Sequence, residues 1–217
     1  MTLVYADIDA RNEQNVRKAL RGSVFGAATS ADAVTALTTG SGATLNALPS
    51  GYNDFGQLSD AGAVLGSAVT QTDVMGWGRV VPVRTDITQN KRTIALVGLE
   101  CNAMTFSLYF QQAPGSLTPD GTTGEVQITE NDTPTVQYWR ILALAVDVNA
   151  SGEIYLGRFF PFCSVTKLGD IKFDSAKDVI SFDATLTAYQ DSVLGYSSKF
   201  LAGGPGWQPN LTAMGFS

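Results

Sequence analysis

The C-terminal half of the chain alternates apolar and polar residues with a period of two, which is typical of half-buried β-strands. The alternation is cleanest over residues 179–189 (VISFDATLTAY). One side of this predicted strand carries Ile180, Phe182, Ala184, Leu186 and Ala188, and the other side carries Ser181, Asp183, Thr185 and Thr187. We therefore expect a strand with one buried face and one polar face.

Other segments predict strands in different surroundings. Residues 138–148 (YWRILALAVDV) are apolar on both faces, so we expect them to form a central strand. The turn residues VNASG predict a hairpin connection into residues 153–162. Further strands are predicted at 23–28, 72–86, 92–98, 125–129 and 164–174. The polar residues TQNK at 88–91 predict a turn, and Pro82 favours an edge position.

Two segments favour helices. Residues 8–20 (IDARNEQNVRKAL) are polar with good helix formers, and Gly22 would end such a helix. Residues 100–112 (ECNAMTFSLYFQQ) place Met104 with Leu108, and Phe106 with Phe110, at helical spacing. The same four residues also alternate, so a strand remains the alternative for this segment. We predict a helix of three turns at 100–112.

Two regions lack regular periodicity but contain large aromatic residues. Residues 29–71 predict a long loop, in which Tyr52 and Phe55 alternate with turn residues and can anchor the segment on a neighbouring surface. The alternative is an ordinary surface loop. Residues 196–217 are rich in Gly and Pro, yet they hold Phe200, Trp207 and Phe216. A free tail rarely carries such groups, so we expect an arm that docks on its own domain or on a neighbour.

The amino-acid composition favours a protein whose surface forms contacts with other subunits. Charged residues make up 16% of the 217 residues, against about 25% in typical globular proteins. Because interface cores are depleted of charge, this shortfall favours self-assembly over a neutral monomeric β-sandwich, which remains the alternative. The formal net charge of −6 argues against tight binding of nucleic acid.

The chain lacks the residues that most catalytic and metal sites require. It contains no histidine and two cysteines, Cys101 and Cys163, whose apolar neighbours predict buried free thiols. Phosphate-binding and calcium-binding motifs are absent from the sequence. Paired carboxylates of a glycosidase remain an alternative, with Asp170, Asp174, Asp178 and Asp183 as candidates. We expect no enzyme activity, cofactor, metal, signal peptide or membrane insertion. We expect the chain to be made in a reducing cytoplasm.

Several segments in a fixed order resemble one known family. They are GYNDFG…SDAG (51–62), WGRVVPVRTD (77–86), YWRILALAVD (138–147) and LTAYQDSVLGYSS (186–198), with Pro161, Gly169 and Asp170 between the last two. In this order they resemble the major tail tube proteins of long-tailed, siphovirus-type phages that infect actinobacteria. The resemblance covers residues 22–217. It divides the chain into an N-terminal segment (1–21), a β domain (22–195) and a C-terminal arm (196–217).

The resemblance implies a mainly β fold with two packed sheets in a sandwich or partial barrel, one flanking helix, and long loops and arms. It implies that six copies close a ring, that their inner sheets join into one β-barrel around a lumen, and that rings stack into a tube. The implied location is the virion tail tube, through which DNA passes into the host cell without specific binding. The implied partners are further copies of the chain and the tail terminator, tape measure and distal tail proteins.

The implied tube gives the candidate residues their expected roles. We predict that Asp183, Thr185 and Thr187 face the lumen, where acids and hydroxyls would repel phosphates and let DNA slide. We predict that Tyr52, Phe55, Phe200, Trp207 and Phe216 contact neighbouring subunits or rings, with the loop at 40–71 and the arm as tethers. The alternative from another class is a carbohydrate-binding or receptor-binding β-sandwich that decorates a virion, with its aromatic residues grouped in one cleft.

Overall fold

The computed structural model describes residues 4–9, 11–130, 132–133, 135–174 and 179–216. Its strands are β1 (Arg21–Ala28), β2 (Thr38–Thr39), β3 (Thr44–Leu45), β4 (Asn53–Asp54), β5 (Val64–Met75), β6 (Pro82–Gly98), β7 (Tyr138–Asn149), β8 (Gly152–Leu168), β9 (Phe182–Ala188) and β10 (Lys199–Gly203). Its α-helices are α1 (Tyr5–Ile8) and α2 (Ala103–Tyr109), and single 3₁₀ turns occupy Glu13–Asn15, Gln208–Asn210 and Thr212–Met214.

One antiparallel sheet of eight strands forms the body. Its strands run in the order β4-β1-β7-β8-β9-β6-β5, and β10 pairs with β8 beside this path. The long strand β8 bonds β7 along one edge, while its other edge bonds β10 at its beginning and β9 at its end. The mainly β prediction is confirmed. The expectation of two packed sheets is wrong for the described residues, because β8 joins both halves into one sheet with β2–β3 as a separate small ribbon.

The sheet curls so that distant strands approach each other. Phe55 N donates to Val24 O of β1 at 3.0 Å, and three residues later Leu58 forms a bridge with Gly98 of β6. Three extended residues span about 10 Å, whereas the four strand spacings from β1 to β6 would cover about 19 Å in a flat sheet. The segment 53–59 therefore ties the two sides of a strongly curved sheet together at one end.

Each face of the sheet has its own apolar core. The inner core lies on the concave face and contains Val24, Phe55, Ile94, Leu96, Met104, Leu108, Trp139, Ile141, Ala143, Phe160, Cys163, Ala184 and Leu186. The outer core contains Val34, Leu37, Leu142, Tyr155 and Phe159, with Leu48, Tyr52, Leu194 and Tyr196 packed against it. Helix α2 covers part of the inner core, and the segments around 33–52 and 194–201 cover the outer one. Both faces of β7 are thus buried, which confirms the predicted central strand.

The predicted N-terminal helix at 8–20 is wrong. Among the described residues before β1, only Tyr5–Ile8 and Glu13–Asn15 take helical turns, and Val16 and Leu20 are exposed. Val16 and Leu20 thus pack into no core of the described chain, and helix propensity alone does not stabilise so short a segment. Its end instead extends β1, because Leu20 N donates to Val146 O of β7 at 3.0 Å.

The predicted loop at 29–71 ends earlier than expected, and the predicted turn at 88–91 is wrong. Strand β5 begins at Val64, and residues 88–91 lie inside β6. The chain turns at 76–81, where Arg79 N donates to Gly76 O at 3.1 Å and Gly78 has a φ of +70°. Glycine adopts this backbone conformation without steric cost, so the turn forms there and not at the polar TQNK.

The predicted helix at 100–112 is confirmed, although α2 is shorter than three turns. Asn102 caps it, because its Oδ1 accepts from Thr105 N at 2.9 Å. The predicted strand at 125–129 is wrong, since these residues take no strand conformation. The predicted strand at 164–174 instead continues β8 as far as Leu168. Cys163 is buried and free as predicted, and its burial raises the pKa of its thiol, but Cys101 is exposed.

Candidate assembly surface

Residues 67–91 project from the sheet as a hairpin arm. Strand β6 pairs with β9 only from Arg92 to Gly98, whereas β5 pairs with β6 along its whole length. In the part of β6 that precedes Arg92, β5 and β6 therefore bond only to each other among the described residues. Every residue of the arm except Gly76 and Asp86 is exposed. At the strand rise of about 3.3 Å per residue, the arm reaches about 30 Å from the body.

The tip of the arm is apolar and open to solvent. Trp77 is 105% exposed and Val80 95%, and Val81, Met75 and Val83 beside them are also exposed. A contiguous apolar patch of this kind marks an interaction surface more often than a random feature of a monomer. The five residues Met75, Trp77, Val80, Val81 and Val83 are called the apolar tip below.

The stem of the arm is held by its own bonds. Thr85 Oγ1 donates to Asp73 Oδ1 at 2.6 Å across the two strands, and Arg84 Nε donates to Asp86 Oδ1 at 2.6 Å. Register shifts between Thr70 and Gln71 and between Val74 and Met75 add twist to the ladder. The stem can thus present the apolar tip at a distance without a core of its own.

The two predicted anchors of the long loop belong to the subunit's own cores. Phe55 is fully buried and lies 6.2 Å from the ring of Trp139, and a Cβ at Gly26 would come within 2.7 Å of its Cζ. The prediction that Phe55 contacts a neighbouring subunit is therefore wrong. Because Gly26 has no side chain, the Phe55 ring enters the inner core of its own subunit. Tyr52 is half-buried and donates from Oη to Asp32 O at 3.0 Å. The pKa of Tyr52 is raised to about 12, and burial of its hydroxyl is the largest cause.

The C-terminal arm docks on its own domain. Strand β10 pairs with β8, Gly206 N donates to Glu153 O at 2.9 Å, and Asn149 Nδ2 donates to Gly206 O at 2.9 Å. Phe200 remains 64% exposed on β10. Trp207 is half-buried with its ring centroid 6.0 Å from that of Phe216, whose side chain is exposed. Phe200 and Phe216 thus remain open to a neighbour, whereas the backbone that carries them is fixed.

The predicted lumen residues share one side of β9, opposite the inner core. Asp183 and Thr185 are half-buried, and Thr187 is only 7% exposed, with its hydroxyl 3.0 Å from that of Thr166. Thr185 is paired with Lys167 of β8, so a base stands beside the acid on this surface. Their place on the lumen wall stays a prediction.

An open cleft of about 510 Å³ lies beside this surface and brings together Asp170, Asp183 and Lys172. Of the other predicted glycosidase carboxylates, Asp174 does not line the cleft and Asp178 lies outside the described residues. The three tryptophans lie apart: Trp139 in the inner core, Trp77 at the apolar tip and Trp207 near the C-terminus. The three tryptophans, all within the described residues, therefore do not line one cleft.

A buried ion pair that the sequence did not reveal fixes the loops over the outer core. Arg140 Nη2 lies 3.6 Å from Asp191 Oδ2, both side chains are largely buried, and Arg140 Nη1 donates to Ala31 O. Asp191 Oδ1 accepts from Val193 N at 2.8 Å and from Leu194 N at 2.9 Å. The pKa of Asp191 is lowered, chiefly by the hydrogen bond from Leu194 N. Burial raises this pKa, while the bond from Val193 N and the charge of Arg140 lower it further.

One of three comparisons with known proteins identifies a family. A family model described as "Phage tail tube protein" matches residues 9–201. A chain in the six-fold symmetrised baseplate of the anti-feeding prophage, solved by cryo-electron microscopy, is similar at 16% identity with a TM-score of 0.40; the match covers 83% of this chain and 92% of that chain. No curated protein matches. Among the described residues, no helix is long and apolar enough to cross a membrane.

Proposed function

The chain belongs to the phage tail tube protein family, and we propose that it builds the tube as stacked hexameric rings around a channel for DNA. Family membership makes the chain a structural component of the virion tail. The hexamer, the stacking and the passage of DNA into the host cell are the proposed part. The proposal includes a non-contractile, siphovirus-type tail of an actinobacteriophage, assembled from chains made in the host cytoplasm.

The hairpin arm is the observation that carries this proposal. An apolar tip on a stem about 30 Å long has no partner within the described part of its own subunit, and its exposure in a lone chain is unfavourable. In a stack of rings, the arm of one subunit reaches an adjacent subunit and buries its tip there. Because the contact joins different patches on the two subunits, it can propagate into rings and tubes.

The open edge of the sheet supports ring closure. Strand β5 ends the strand order, so the outer edge of its 12 residues has no strand partner within the described chain. Unpaired edges of this length invite pairing with another chain, and closure of a ring removes them. We infer that each copy covers the β5 edge of its neighbour.

The electrostatics fit a channel that does not hold DNA. The formal net charge of −6 gives each ring an acidic balance, which opposes tight phosphate contacts. The lumen role of Asp183, Thr185 and Thr187 belongs to this proposal. If it holds, Asp183→Lys tubes should eject DNA more slowly than wild-type tubes, and unchanged ejection would remove Asp183 from the lumen. Tail terminator, tape measure and distal tail proteins are the further proposed partners.

Electron microscopy of two matched variants tests the proposal. Replacing Trp77, Val80 and Val81 by serine removes the three most exposed apolar side chains of the tip without touching a core, so the variant should fold normally and form no tubes. Val193→Ser, which alters an apolar side chain of similar exposure away from the arm, should assemble like the wild type. Normal tubes from the triple variant would refute the role of the arm. Discrete wild-type particles that bind glycans would favour the decoration module.

A further inference from the structure

The root of the hairpin arm forms a fork between two strands. Strand β9 lies between β6 and β8 and ends at Ala188, which is paired with Arg92 on one side and Cys163 on the other. Beyond this point β6 continues into the hairpin arm, while β8 runs back towards Gly152 and pairs with β10. The two strands thus diverge where β9 stops. We call this place the fork.

Two arginines approach the fork from opposite sides, both on the concave face. Arg92 is two residues from the buried Ile94 of β6 and therefore shares its face. Arg158 of β8 is paired with the core residue Ala143, and its Cζ lies 5.4 Å from the centroid of the Phe160 ring. Both side chains are half-buried. Their guanidinium groups are close enough that the charge of Arg92, after burial, lowers the pKa of Arg158.

Among the described residues, no anion lies beside the two cations of the fork. Arg92 Nη1 is shielded from solvent without a hydrogen-bond partner in the described chain, and Arg158 donates to the neutral Ser198 Oγ at 3.3 Å. Neither arginine has a carboxylate within 4.0 Å among the described residues. By contrast, Arg140 and Arg17, which are more deeply buried, lie 3.6 Å and 4.0 Å from Asp191 and Asp147. Unpaired, partly desolvated charges of like sign destabilise the subunit that contains them.

We propose that the fork binds a carboxylate presented by a neighbouring copy of this chain. The proposal rests on the tube function proposed above, and it identifies the chemistry of one contact. An arginine pair receives a carboxylate through several charge-assisted N–H···O bonds, which are strong and directional. The chain itself supplies the anions, since it has 20 acidic residues against 14 basic ones. The fork also lies at the root of the arm, the surface assigned to contacts between copies.

A DNA phosphate is a poorer occupant of the fork. Nucleic-acid sites spread many bases along a stripe that follows the backbone, whereas the fork holds two arginines packed against an apolar core. A carboxylate that enters with an edge or loop of a neighbouring subunit reaches such a recess, and it removes the repulsion between the two cations when it binds.

The test compares Arg92→Gln/Arg158→Gln with Lys18→Gln/Lys172→Gln, which removes the same charge from exposed positions outside the hairpin arm. The midpoint of thermal unfolding at low concentration and the critical concentration for tube formation are measured for both. Loss of a desolvated charge contact should raise the critical concentration of the arginine variant about tenfold or more. Its unfolding midpoint should equal or exceed that of the wild type. The lysine variant should assemble within about twofold of the wild type, because exposed charges contribute little.

The outcomes separate this inference from the proposed function. Wild-type tubes together with an unchanged critical concentration for the arginine variant would overturn the inference and leave the tube intact. Failure of the wild type to assemble would overturn both. Normal assembly with altered DNA retention would assign the fork to phosphate and overturn the inference. If the glutamine variant fails to fold, Arg92→Lys repeats the comparison, because lysine keeps the charge but loses the planar donor pair. It should also raise the critical concentration, and no change would overturn the inference.

Discussion

The body of the sheet and the hairpin arm share two strands but differ in what covers them. In β6, residues from Arg92 onward alternate between buried and half-buried positions, whereas almost all residues before Arg92 are exposed. The backbone ladder between β5 and β6 crosses this boundary without a break in pairing. Strand pairing alone therefore does not bury side chains; the body does so because β9 and α2 add neighbours. In the arm, β5 and β6 keep their backbone pairing, but no other element covers their side chains within the described subunit. This is expected of a segment that another subunit covers.

The largest expected difference between the two regions concerns their tryptophans. Trp139→Ala in the inner core should lower the free energy of unfolding by about 3–5 kcal/mol, because it leaves a cavity in a fully buried site. Trp77→Ala at the apolar tip should change it by less than about 0.5 kcal/mol. Urea unfolding of the unassembled chain measures both. Equal losses would mean that the tip is packed within its own subunit.

A smaller difference should separate the ion pairs of the two regions. Asp191→Asn leaves Arg140 buried without its counter-ion and should cost about 3 kcal/mol at pH 7. Asp86→Asn removes an exposed pair with Arg84 in the arm and should cost less than about 1 kcal/mol. Urea unfolding of both variants beside the wild type gives these values. Similar costs for the two variants would contradict the comparison.

The contribution of Asp191 should also depend on pH in a defined direction. Its pKa is lower in the folded chain than its ordinary value, so the folded state favours the ionised form. This stabilisation is fully present above the unfolded pKa of about 3.9 and is lost as the pH falls through the folded pKa. The wild type should therefore lose stability relative to Asp191→Asn below about pH 4. A constant difference from pH 7 to pH 3 would contradict it.

The smallest expected difference concerns two asparagines. Asn102 caps α2 and also donates from Nδ2 to Phe55 O at 2.9 Å, so Asn102→Ala should cost about 1 kcal/mol or slightly more. Asn90→Ala on the exposed stem of the arm should change stability by less than about 0.5 kcal/mol. Thermal unfolding of the two variants under identical conditions decides. A larger loss for Asn90→Ala would show that the stem contributes to the fold of the isolated subunit.

The sequence predicts the body better than its appendages because burial leaves a periodic record. The alternation at 179–189 and the doubly apolar run at 138–148 correctly indicate β9 and β7. The pairs Met104–Leu108 and Phe106–Phe110 correctly favour a helix over a strand. In the arm both faces meet solvent within the subunit, so no periodicity marks the strands, and polar residues such as TQNK resemble a turn.

The candidate site shows the same limit. The aromatic residues of the loop look equally suited to a neighbour or to a core, and only the space at Gly26 decides that Phe55 turns inward. The pairing of Arg140 with Asp191 joins residues far apart in the chain, and the isolation of Arg92 and Arg158 depends on where β9 ends. These features follow from the curvature and register of the sheet, which a single sequence does not specify.

Hydrogen exchange of the backbone amides in residues 67–91 tests the central claim most directly. It compares the unassembled chain with the assembled form, using the amides of β7 and β8 as an internal reference. If the hairpin arm is completed by a neighbouring copy, its amides should exchange much more slowly after assembly, while those of the reference strands change little. Equal exchange of the arm in both states would contradict the account, because the apolar tip and its stem would then remain uncovered in the tube.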